Sequence, residues 1–329
     1  METRQCTTHR VPSVWAAMLV LVVLAGVTPH AGFAASDALS RQAEFNVPFA
    51  GKGYDLLELL IEERVQLERY CLRLEAHWLD DLGTLREKIK QLEDGLREAT
   101  VNTGRVEKNE ARRKRYAATV RAIEAITKKE QELQGGIDQL IAALKQKDLK
   151  TAAKLLGTAD AYFDSIQAEW YRLVLDAAGD VSHKSIKDEY NALQHADELV
   201  LAAAAVEFHV MRYRRTSAPA ERKRVLDLLR AGEKHITEAG EGFHEGLRDR
   251  RTDRSAETED LLDALSDVKD EWEDAGKAVK RFLNLNDPRQ RAASAELTKL
   301  DAALQTLREE SRELAGTAEK LVLSIVSSE

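Results

Sequence analysis

Residues 293–325 read ASAELTKLDAALQTLREESRELAGTAEKLVLSI, with apolar or small side chains at Ala293, Leu297, Leu300, Leu304, Leu307, Ser311, Leu314, Ala318, Leu321 and Ile325. The steps alternate strictly between four and three, so one stripe of an α-helix faces a partner helix along its whole length. Working outward, the same spacing recurs through most of the chain. The helices of the second half are expected at 184–215, 219–249, 256–285 and 288–326, with breaks at Thr216–Pro219 and Arg250–Arg254 and, at the third, Asp287 as N-cap before Pro288. Four helices of similar length joined by short loops imply an up-down four-helix bundle over 180–329.

Towards the N-terminus a seam runs Leu67, Cys71, Leu74, Trp78, Leu82, Leu85, Ile89, Leu92, Leu96. Its two consecutive steps of four around Trp78 form a stutter, and Gly83 beside it marks a bend. A second seam, Tyr116, Val120, Ile123, Ile126, Leu133, Ile137, Leu140, Leu144, crosses Gly135-Gly136, where a kink or break is expected because each glycine costs about 1 kcal/mol in a helix interior. Asp148 caps a third helix that runs through Phe163, Ile166 and Trp170 to Gly179. Residues 55–179 thus form a helical bundle or hairpin, and residues 35–54, with Pro48, Gly51 and Gly53, read as a flexible leader. The fold class is all-α: about seven long helices in elongated antiparallel bundles with coiled-coil-like packing.

Composition agrees. The 329 residues are 43% hydrophobic but only 5% aromatic, and strong helix formers dominate. A formal charge of −8 argues against the broad cationic footprint of nucleic-acid binding. Arg4, His9 and Arg10 followed by the apolar run Val14–Val27 and by Gly32-Phe33-Ala34 make residues 1–34 a secretory signal cleaved after Ala34. That run is shorter than the roughly twenty residues needed to span a bilayer, so retention as a membrane anchor is the lesser expectation. The compartment is then periplasmic or otherwise extracytoplasmic. Cys71 is left as the single cysteine of the mature chain, and no internal disulfide can form.

Motifs that carry chemistry are scarce. Trp78, Trp170, Trp272 and Cys71 fall on seam positions and read as core. Glu241-Gly-Phe-His244 is a Glu-x-x-His step, but di-iron bundles need two, and His195 with Glu198 has the reverse order. Glu207 and His209 are two apart and point in different directions on a helix. No phosphate loop, dinucleotide fingerprint, H-E-x-x-H, G-x-S-x-G or C-x-x-C-H occurs. The sequence therefore predicts no catalytic residue, no metal and no cofactor, and no enzyme.

Two features stand off the seam. Arg212, Arg214, Arg215, Arg222, Lys223 and Arg224 meet at one loop, with Arg281, Arg289 and Arg291 expected at the same end, a candidate patch for an anionic lipid, ligand or protein. Gly232, Ala239 and Gly246 recur every seven residues, a stripe on which another helix can dock. The function these imply is that of a non-enzymatic exported structural or adaptor protein, which binds a protein partner or self-associates through helix surfaces. Tandem bundles of this pattern also resemble the periplasmic sensing domains of bacterial chemoreceptors, a resemblance in architecture alone, which implies a small ligand held between helices. A metal-binding bundle is the third reading.

Overall fold

Val47 opens the first helix, with Pro48 in the first turn, where its missing N–H costs nothing. The computed structural model describes residues 45–179, 187–250, 256–285 and 294–328. The structure is all helical: α1 Val47–Arg73, α2 His77–Val106, α3 Glu110–Lys145, α4 Leu149–Ala178, α5 Lys187–Thr216, α6 Pro219–Arg250, α7 Ala256–Leu283 and α8 Ser294–Ser328. Asn109 and Asp148 cap α3 and α4 by accepting from the backbone N–H of Arg112 and Thr151. Among the described residues no helix is long and apolar enough to cross a membrane. The signal segment 1–34, the stretch 35–44, and Asp287-Pro288 lie outside the described residues.

Three expectations change. The leader does not extend to residue 54: Phe45, Val47, Phe49, Ala50 and Tyr54 are buried, and the Phe45 ring meets Tyr116 of α3 edge-on at 5.0 Å. Gly53, read as a chain breaker, is a packing residue, since a Cβ there would stand 2.3 Å from Cγ2 of Val174 on α4. The stutter near Trp78 is a helix end rather than a bend at Gly83. Leu74 takes a left-handed conformation (φ 55°) and closes α1 through its N–H to the Tyr70 carbonyl. Trp78 consequently lies half-buried beside that connector, with the Arg69 guanidinium 5.1 Å from its ring, and not in the core. The third change is at Gly135-Gly136, which α3 crosses unbroken because Leu133, Ile137 and Leu140 on either side are buried and hold the turn.

Helix contacts close into two rings. In the first, α1 and α3 each pack on α2 and α4; in the second, α5 and α7 each pack on α6 and α8. The rings meet along α1 and α5, with α1 also touching α8, and all the described residues belong to one compact unit. The opening seam behaves as its spacing requires, with Leu300, Leu304, Leu307, Ser311, Leu314, Ala318, Leu321 and Ile325 buried. Trp170 and Trp272 are buried too, their indole N–H groups donating to Glu130 and to the Leu229 carbonyl.

The meeting face of the rings is ionic as well as apolar. Arg308 on α8 donates to Glu58 of α1 at 3.1 Å and to Glu207 of α5 at 2.9 Å, and pairs with Glu62. Arg64 of α1 reaches Asp160 and Asp164 of α4 and lies 4.2 Å over the Phe208 ring of α5.

Candidate metal centre

On α5, His195 and Glu198 are three residues apart and share a face; on α6, His235 and Glu238 repeat that step. The two helices fold back on each other through Ser217 and Ala218 and pack closely. Close approach is possible because Gly242 sits over α5, where a Cβ would come 3.0 Å from Cβ of Ala192 and 3.1 Å from the Asp188 carbonyl oxygen. The two His-x-x-Glu steps therefore face one another.

Nδ1 of His195 and Nδ1 of His235 stand 3.3 Å apart, Oε2 of Glu198 is 3.1 Å from the His235 nitrogen and 3.5 Å from that of His195, and Oε2 of Glu238 is 3.6 Å from Nδ1 of His195. Four ligands about 2.0–2.1 Å from a central ion lie about 3.3–3.4 Å from each other in a tetrahedron. Oε2 of Glu198 and the two Nδ1 atoms have that spacing, which accounts for three of the four positions. His195, Glu198 and His235 form the one group among the described residues that places three ligand atoms of this kind within 4.8 Å.

The surroundings orient the ligands. The Tyr171 hydroxyl of α4 donates to Oε1 of Glu198 at 2.9 Å, leaving Oε2 turned to the imidazoles, buried and without a well-formed hydrogen bond. Burial works to raise the Glu198 carboxyl, but the neighbouring imidazoles and Tyr171 outweigh it and hold it below its ordinary value. Burial, with the like charge of His195, pulls the His235 imidazole down, against the pull of Glu198 and Glu238. A carboxylate and a neutral imidazole are the forms that ligate. Side-chain exposures of 24% for His195 and 32% for Glu238, against 11% for Glu198, leave one side of the cluster open to solvent. Lys234 pairs with Glu238 at 3.2 Å on that open side.

The sequence points to part of this: His195 with Glu198 is a reversed di-iron step, and the identical step at His235 and Glu238 is the local signal that pairs with it. Glu241 and His244, the step of the expected order, are exposed. Glu207 and His209 serve elsewhere: Glu207 binds Arg69 and Arg308, and Nδ1 of His209 is 2.7 Å from Glu221.

The basic cluster is largely paired. Arg212 bridges Asp160 and Glu221, Arg215 binds Glu68, Arg224 reaches Glu221 and Lys223 reaches Asp227. Arg222 donates to Asn284, and Arg214 is half-buried beside Arg73 and Asp301. Arg289 and Arg291 lie outside the described residues. On the small-residue stripe, Ala239 is buried, and a Cβ at Gly232 would fall 1.9 Å from Cζ2 of Trp272, so that position already receives α7. Gly246 lies on α6, but its surroundings fall outside the described residues. Burial pushes the Cys71 thiol up to about 12, helped by Glu68, which leaves an inert thiol. Comparison with protein-family models, curated proteins and solved structures gives no significant match to this chain.

Proposed function

We propose that this chain is a non-enzymatic metal-binding helical-bundle protein of an extracytoplasmic compartment. It holds one divalent transition-metal ion of the zinc class at His195, Glu198 and His235, with the fourth position open to solvent. The observation that carries this reading is the set of 3.1, 3.3 and 3.5 Å separations among Oε2 of Glu198 and the two Nδ1 atoms. Two imidazole nitrogens with carboxylate oxygens suit zinc and its neighbours rather than calcium or magnesium, which take oxygen alone. The accompanying fold is a pair of up-down four-helix bundles sharing the α1–α5 face, with the ion clamping α5 to α6. The compartment follows from the export signal read in residues 1–34.

The adaptor reading has less on its side. Gly232 is filled by Trp272, and four of the clustered basic side chains are engaged with carboxylates.

Elemental analysis after dialysis against micromolar zinc should find one ion per chain, and cobalt(II) should give the visible absorption of a tetrahedral site. The His195→Ala/His235→Ala variant should lose both while keeping its helical circular dichroism. Absence of bound zinc in the wild type, or undiminished binding in the variant, would overturn the reading.

A further inference from the structure

A cavity of about 100 Å³ opens where α1, α5 and α8 converge on the face between the rings. Four carboxylates line it from three helices: Glu58, engaged by arginines, and three others at graded depth, Asp55 exposed at the rim, Glu319 half-buried, and Asp197 only 9% exposed. Glu319 leans against Gly51, where a Cβ would stand 3.1 Å from its Oε1. Tyr54 also belongs to this wall, and its hydroxyl is wholly buried with no hydrogen-bond partner among the described residues. Arg312, at the mouth, is committed to Glu58 by bonds of 2.6 and 3.0 Å.

A buried donor without a partner is costly, and a desolvated carboxylate without a cation costs more. Asp197 is so placed, buried in the cavity wall with Asp55 and Glu319 lining the same space. A metal ion does not fit the spacing, because these carboxylates are not among the groups that bring three ligand atoms within 4.8 Å. An ammonium or guanidinium spans wider gaps, since each N–H reaches an acceptor about 2.8 Å from its own nitrogen.

We propose that this cavity is a binding site for a small organic cation, an alkylamine or guanidine whose charged head lies between Asp197, Glu319 and the Tyr54 hydroxyl while Asp55 draws it in from the rim. Asp197 precedes Glu198 of the metal centre on α5, but Asp55 and Glu319 stand on α1 and α8, and the variants below test the two sites separately.

Calorimetric titration and thermal unfolding with agmatine as probe, at concentrations up to about 10 mM, test the proposal. Wild-type protein should bind and its Tm should rise. The Asp55→Asn/Glu319→Gln variant should lose at least about tenfold in affinity, roughly one pair of charge-assisted contacts. His195→Ala/His235→Ala should keep it. Tyr54→Phe, which removes one buried hydroxyl and no charge, should bind severalfold more weakly, and it decides the matter if the double variant does not fold. No binding by the wild type, equal binding by the carboxamide or Tyr54→Phe variants, or the same Tm rise with calcium chloride would each overturn it.

Discussion

Glu130 on α3 is 5% exposed and accepts from the Trp170 indole, with Glu93 of α2 as its neighbour. Burial, then the hydrogen bond and charge of Glu93, raise its carboxyl far above the ordinary carboxylate value, so the folded protein keeps a proton that the unfolded chain releases. The sign follows. The contribution of a raised group is fully present below the unfolded pKa and is lost as pH climbs towards the folded one. Stability should therefore decline as pH rises above the carboxylate range. Glu130→Gln keeps a hydrogen-bonding amide without a charge, so it should flatten that decline and raise stability at pH 8 by about 1–3 kcal/mol, read from urea midpoints at several pH values. None of this was legible in the sequence, where Glu93 and Glu130 look like two more solvated acids on amphipathic helices.

At the scale of the element, glycines divide into two kinds that the sequence does not distinguish. Gly135 has open space where a Cβ would be, whereas the Cβ at Gly53 would run into Val174. Gly135→Ala should stabilise by about 0.5–1 kcal/mol, the usual difference between the two residues within a helix. Gly53→Ala should destabilise by about 1–3 kcal/mol through overpacking, with Val174→Ala restoring part of the loss in the double variant. Thermal unfolding of the set gives both signs. The end of α5, both ends of α6 and the start of α7 lie within one residue of their expected positions, since Pro219 and the neighbouring polar breaks act locally. The start of α1 did not, because Gly51, Gly53 and Pro48 mimic a linker while serving close contact and a first helical turn.

At the scale of the whole molecule, α5 is the shared helix. Residues 199–206 are buried on every side, as an element packed by α1, α6 and α8 must be. Its run VLAAAAV around residue 200 carries that message, since a helix apolar all round belongs in a core. Arg308 ties the rings together there. Replacing it with methionine leaves Glu58, Glu62 and Glu207 without their shared cation and should cost about 3–5 kcal/mol. Denaturation at pH 4 and pH 7 checks this, with the smaller loss expected in acid, where Glu207, which burial holds above the ordinary carboxylate value, takes up a proton.

Periodicity, caps and charge are properties of neighbours along the chain, so the sequence by itself determined that the protein is helical, where most helices end and which stripe of each is buried. A helical period says which face turns inward but is silent on what it turns towards. His195 and His235 are forty residues apart, and Glu58 and Arg308 are 250 apart. Only the packing of α5 against α6 brought two ordinary His-x-x-Glu steps face to face. Only the meeting of α1, α5 and α8 enclosed Asp197 and Tyr54 in a cavity, because distance across helices is set by side-chain packing that no local pattern encodes.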